Sequence, residues 1–413
     1  TFIKRREEFI PKLLILGCTK KPSPMTNITL FSQIIKKLDR SSFNKLVQEK
    51  QTDKHAKGFD SWTHLVSMLF CQFAKSQSVR DISNGLRSAT GNLNHLGVQK
   101  APSKSTVSYQ NQRRDWELFR AYYYKLLQTL GQQAYPRRVK FKIKSKIFLL
   151  DSTTISLCLS LFDWARYKTT KGAVKMHTLL DYDGHLPAYV NITDGKTADN
   201  KGAYDIPLLK QSVIVADRFY NDFPLLNIWD SNEVFFVVRH KDNIKFKSIK
   251  EHDLPDDRHQ HILKDEIIEL TGNQSRKKYP KRLRRVVIWD DKNNQVIELI
   301  TNQKTWTANT ISELYKARWQ VEIFFREIKQ LLHIKSFVGT SENAVMIQIW
   351  TALITILILK ALKAMAKYPW YLSNLVAFIR LNLFVKIDLQ KWLDEPFVEV
   401  NPPPRNRYQG VLF

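Results

Sequence analysis

Apolar positions recur at helical spacing through the first third of the chain. FSQIIKKL (31–38), WTHLVSMLFCQFA (62–74) and WELFRAYYYKLLQTL (116–130) each carry a core stripe. Between the last two lie a short helix over 79–86 and then Pro102-Ser103, a start signal with Ser103 as N-cap. The helix it opens is polar and basic and runs through Arg114. A turn followed by such a helix could present Ser103, Lys104, Arg113 and Arg114 to a DNA groove, or it could belong to an ordinary bundle.

The period changes after 140. FKIKSKIFLL (141–150) alternates, turns wholly apolar and stops on Asp151, as a strand entering a core does. Strands over 174–180 and 188–192 flank an Asp183-Gly184 hairpin turn. A helix is expected over 203–209, then the apolar strand SVIVAD, which ends on Asp217. From 232 to 302 the chain reads as β-rich, with strands over 234–239 and 262–270 and a hairpin over Asn293-Asn294, as an inserted subdomain would. Helices return at 315–329, 344–367 and 371–383. The fold class is therefore α/β, with helices at both ends.

The stretch YKARWQVEIFFREIK (315–329) changes the picture from architecture to chemistry. On one helix, Tyr315, Arg318, Glu322 and Lys329 fall within an arc of roughly 60°. Ala317, Phe324, Ile328 and Leu331 form the opposite, core-facing stripe, and Trp319 and Phe325 flank the charged strip. Asp151 and Asp217 each follow an apolar strand, the edge where sites lie in helix-covered sheets. One strand-end Asp is an ordinary turn former; two of them with a carboxylate-bearing helix make a constellation. Oxygen ligands of this kind suit hard divalent cations, and two such ions can activate a nucleophile and stabilise a leaving oxygen at a phosphodiester.

Charge supports a polyanionic partner. Lys and Arg outnumber Asp and Glu by 65 to 39, a net charge of +26, with dense runs at 137–146 and 276–285. Cys18, Cys71 and Cys158 have no metal-binding spacing, and His252, His259 and His261 lack zinc-finger partners, so a reduced, cytoplasmic setting is expected. The uncharged run 349–359 has eleven residues, short of the roughly 18 a membrane span needs, and reads as a core helix. Residues 1–24 begin with Thr1 and read as non-native upstream sequence or a basic arm.

Tyr, two residues, Arg, three residues, Glu, six residues, Lys resembles the YREK signature of DDE transposases of the insertion sequence four family. Tyr315, Arg318, Glu322 and Lys329 match it without a gap. LLDST around Asp151, VADRFYND around Asp217 and the GAVKMHTLLDYDG hairpin are similar to that family's other motifs. The resemblance covers roughly residues 26–385. It implies an RNase H-like catalytic core interrupted by a β-rich insertion, with an N-terminal helical DNA-binding domain and C-terminal helices. The divisions expected are a leader 1–24, DNA-binding helices 25–135, core 136–231, insertion 232–302, core 303–367 and a C-terminal region 368–413.

By the same resemblance, Asp151, Asp217 and Glu322 are the catalytic residues and would hold two Mg²⁺ ions, with Mn²⁺ able to substitute. Tyr315, Arg318, Lys329 and Arg326 would hold DNA phosphates. Lys175 and His177 would reach DNA from the hairpin strand, and Trp306 or Trp289 would stack on a flipped base. The partners implied are double-stranded DNA, as terminal inverted repeats and target, and a second copy of the chain bridging two ends. The alternatives are an RNase H-like nuclease without strand transfer and a catalytically inactive DNA-binding remnant.

Overall fold

The computed structural model describes residues 27–89, 91–134, 141, 143–157, 162–168, 171–242, 244–254, 261–332 and 337–397. The leader, half of the 137–146 basic run, Cys18, Cys158, His259 and the end of the chain lie outside these residues.

Six helices come first: α1 (Leu30–Ile35), α2 (Arg40–Lys50), α3 (Ser61–Ala74), α4 (Val79–Ser88), α5 (Lys104–Arg113) and α6 (Glu117–Ala134). Their starts follow the side chains that cap them. Asp60 accepts the Thr63 N–H, Ser78 and Asp81 form a reciprocal capping box, and Ser103 accepts the Thr106 N–H as its sequence position predicts.

The strands follow: β1 (Ile147–Leu157), β2 (Arg166–Lys168), β3 (Lys171–Asp181), β4 (Leu186–Asp194) and β5 (Val213–Ala216), then α7 (Phe223–Ser231), β6 (Phe235–Arg239), β7 (Phe246–Glu251) and β8 (Ile262–Leu270). After α8 (Asn273–Lys278) come β9 (Leu283–Asp290) and β10 (Gln295–Thr301). All ten strands join one sheet in the order β2-β3-β1-β5-β6-β10-β9-β8-β7, with β4 on β3. β1, β5 and β6 run parallel; the other pairings are antiparallel. The β-rich stretch 232–302 is thus continuous with the main sheet. Its first strand, β6, pairs with β5, and β10 pairs with β6.

The chain closes with α9 (Ala308–Ala317), α10 (Trp319–Leu331), α11 (Glu342–Met365), α12 (Leu372–Asn382) and α13 (Leu389–Asp394). The 24-residue α11 is apolar and long enough to cross a membrane, but its apolar stretch is almost wholly buried inside the protein. It packs against α3, α5 and α6 and also touches α10, α12 and α13. Trp350 of α11 stacks on Trp116, with ring centroids 6.5 Å apart, and Asn343 donates to the carbonyls of Asn111 and Arg114 at 2.8 Å. The Leu30 and Phe31 N–H groups donate to Val385 and Leu383, so both ends of the described chain share one helical layer.

Three local expectations need correcting. No helix spans 203–209: a single 3₁₀ turn, Lys201–Ala203, precedes irregular chain, because Pro207 lacks an N–H and forces Ile206 toward an extended conformation. The expected 315–329 helix is two segments that meet at Arg318, where the N–H donates three residues back, to Tyr315. Phe325, expected beside the charges, is buried in the core.

Candidate active site

β1 runs past its parallel neighbour, and that offset builds the site. Register pairs Leu150 with Ala216, the last residue of β5, so Asp151 and Asp217 emerge side by side where the parallel pairing stops. Asp151 is mid-strand, and β3 continues beside it with Thr178 opposite. Alternation sends Ile147, Leu149, Asp151 and Thr153 toward one face and Phe148, Leu150 and Ser152 toward the other. Leu149 accordingly shares a core with Val321 and Phe324 of α10, and Leu150 shares one with Tyr220 and Trp229.

α10 docks on the Asp151 face through two cations. Arg318 Nη2 donates to Glu322 Oε1 at 2.6 Å, and Nη1 reaches Asp151 Oδ2 at 3.4 Å. Eleven residues on, Lys329 Nζ donates to Thr153 Oγ1 at 2.5 Å and to the Thr154 carbonyl at 2.9 Å. Glu322 is thereby held over the strand that carries Asp151. Tyr315 is buried below, its ring 5.8 Å from the Arg318 guanidinium carbon.

The electrostatics are those of a site short of positive charge. Burial, with Asp217 and Glu322 nearby, pushes the Asp151 carboxyl up to about 7 against the pull of the Ser152 N–H and Arg318. Asp217 is also raised, first by burial and further by Asp199, although it accepts the Phe219 N–H at 2.8 Å. Among the described residues, no three carboxylate, histidine or cysteine side chains converge closely enough to enclose an ion. The donor set is nevertheless right in kind: carboxylate oxygens from three elements, with the Arg318 guanidinium standing where a cation between Asp151 and Glu322 is favoured.

An open groove of about 800 Å³ adjoins these residues, lined by Arg239, Trp289, Tyr315, Arg318 and Trp319 among others. Trp289 is half-buried within it and Trp319 is exposed. Trp306 is not among its lining residues; it packs on Phe235, ring centroids 5.8 Å apart, and its carbonyl accepts from Arg284. Arg326 is exposed on α10.

Several residues expected to contact DNA are engaged within the protein. Lys175 donates to the Thr197 carbonyl at 2.7 Å and pairs with Asp199 at 3.0 Å. His177 is fully buried against Thr193, and burial pushes its imidazole down to about 4. Arg114 is buried: it donates to the Phe59 and Asp60 carbonyls and pairs with Asp53 at 3.3 Å. Ser103, Lys104 and Arg113 do face solvent, with Arg113 over the exposed Tyr109 ring at 4.9 Å. Sequence reasoning missed Asp199, which accepts the Ser152 hydroxyl; no period or spacing marks it.

A family model described as the transposase DDE domain matches residues 142–358, which span β1 through most of α11. The chain belongs to that family, the DDE transposases of insertion sequences. A second model, for a domain of unknown function (DUF4372), matches residues 26–99 in the N-terminal helices. One relative, from Geobacillus stearothermophilus, is named as a probable transposase for insertion sequence element IS5377. It is 29% identical over 277 residues, covering 67% of this chain and 72% of its own. Another, from Sinorhizobium fredii, is a transposase by name, y4zB, and is 27% identical over 74% of this chain and 82% of its own.

Proposed function

We propose that this protein cuts and rejoins DNA at the ends of an insertion sequence by metal-assisted phosphoryl transfer at Asp151, Asp217 and Glu322. The observation that carries the reading is the register that sets Asp151 beside Asp217 under the Glu322 helix, with both carboxyls raised by burial despite the nearby Arg318. Asp151, Asp217 and Glu322 would hold two Mg²⁺ ions, which supply activation of the attacking oxygen and charge stabilisation of the leaving one.

The chain's own residues do the rest. Arg318 turns from the carboxylates toward a backbone phosphate, a bidentate grip suited to a guanidinium. Lys329 keeps α10 seated on β1, so Glu322 stays over Asp151. Tyr315, Trp289 and Trp319 line the groove where an unpaired base or sugar would lie. Lys104 at the start of α5, and Tyr109 and Arg113 toward its end, are exposed and would meet the terminal repeat.

We read β1, β3, β4, β5 and β6 as an RNase H-like core and β7 to β10 as a β-rich extension of it. The active form is a homodimer that bridges two element ends in the bacterial cytoplasm. The test is cleavage of a labelled duplex carrying the element's own terminal repeat, with Mg²⁺, by wild type and Glu322→Gln. Nicking at the repeat boundary by wild type, lost by about 10³-fold or more in a variant that still binds, is the expected result. Equal cutting by both proteins would sink the assignment, and cleavage without strand-transfer products would favour a nuclease.

A further inference from the structure

β1 is gripped from both faces. On the face opposite α10, the Ser152 hydroxyl donates to Asp199 Oδ1 at 2.5 Å. The same oxygen pairs with Lys175 Nζ at 3.0 Å, and Lys175 also holds the Thr197 carbonyl of the loop that carries Asp199. That loop, residues 195–203, is tied down along its length. Asp194 accepts the Thr197 N–H and hydroxyl at 2.9 and 2.6 Å, and Asn200 donates to Asp222 at 2.5 Å. Gly202 lies so close to the buried His177 ring that a Cβ there would come within 2.5 Å of it. Tyr220, wholly buried, places its hydroxyl next to Ser152 and in the field of Asp151, Asp199 and Asp217.

Ser152 is also the residue whose N–H holds the Asp151 carboxylate, at 2.8 Å. Its backbone orients Asp151 toward α10 while its side chain is anchored behind the sheet by Asp199. We propose that Asp199 is a positioning residue for the Asp151 carboxylate, acting through Ser152, with Lys175 as the counter-ion that keeps Asp199 on its own side of the strand. The proposal rests on the metal-site reading above. It assigns Lys175 and the 195–203 loop to the geometry of the active strand, not to DNA.

The test is Mn²⁺ affinity of the full chain, followed by electron paramagnetic resonance, alongside metal-free binding to terminal-repeat DNA in EDTA. Asp199→Asn and Ser152→Ala should each weaken Mn²⁺ binding by about 10- to 100-fold, the usual cost of losing an outer-shell partner of a metal ligand. The double variant should be no worse than the single ones, and DNA binding in EDTA should be unchanged. Ser152→Ala behaving as wild type would overturn the relay, since a through-space effect of the Asp199 charge needs no hydroxyl. Mn²⁺ that is lost in Glu322→Gln but held as tightly by Asp199→Asn as by wild type overturns the role of Asp199 alone. A wild type that binds no Mn²⁺ overturns the metal site itself, and this proposal with it.

Discussion

The sheet has two halves that treat buried carboxylates in opposite ways. In the antiparallel half, every such group faces a cation. Arg284 grips Asp265 through two bonds of 2.8 and 2.6 Å, with both residues buried. On the other face Arg285 bridges Glu266 and Glu298, Lys264 reaches Glu266 at 3.3 Å, and His240 approaches Glu298 at 3.5 Å. Burial works against Glu266, but hydrogen bonds from Ser248, Arg285 and Lys264 still hold it below the usual carboxylate range; Arg285 does the same for Glu298. In the parallel half, Asp151 and Asp217 are pushed up. The first arrangement pins strand register, because a one-residue slip would leave each pair on opposite faces. In the second, Arg318 is shared between Asp151 and Glu322 and does not offset the burial, which is the condition a cation site needs.

The contrast can be strained hardest at Arg284. Arg284→Met leaves Asp265 buried and unpaired, and urea unfolding should show a loss of about 3–5 kcal/mol. A loss below 1 kcal/mol would mean that the antiparallel half does not depend on its pairs.

The next probe is pH dependence without metal. Asp151 titrates near 7 in the folded chain, against about 4 unfolded. Between those values the folded state binds the extra proton, so this group's contribution to stability is present at low pH and lost as pH rises through 7. Wild type minus Asp151→Asn should therefore fall across pH 4–7, by on the order of a few kcal/mol, and flatten above. A flat difference curve would mean that folding does not raise the Asp151 carboxyl, and a rising one would put it among the paired carboxylates. The smallest effect is expected at the exposed Arg276–Glu269 pair, 3.2 Å apart. Arg276→Ala should cost less than about 1 kcal/mol, which separates surface pairs from the buried ladder.

Much of the site was legible because it is local. Tyr315, Arg318, Glu322 and Lys329 sit within fifteen residues, and a helix turns that spacing into a face despite the break at Arg318. Asp151 and Asp217 were legible as ends of apolar runs, although only register reveals that Asp151 sits mid-strand beside Asp217. What stayed hidden depends on partners far along the chain. Asp199 gains meaning only when the 195–203 loop folds onto β3. Arg114 reads as basic surface until Asp53 and Phe59 close over it. β7 (FKSIKE) is a polar edge strand, so hydrophobic alternation gives it away only weakly.

Helix α11 has a consequence for how the chain comes into being. The apolar faces of α3, α5 and α6 close on residues 342–365, which leave the ribosome about 230 residues after α6 ends. At ~5–20 residues per second that gap lasts roughly 10–50 s. Throughout it those helices lack the part of their core that α11 supplies. A chain broken before residue 342 therefore lacks the helix that α3, α5 and α6 pack against, even when it already carries Glu322.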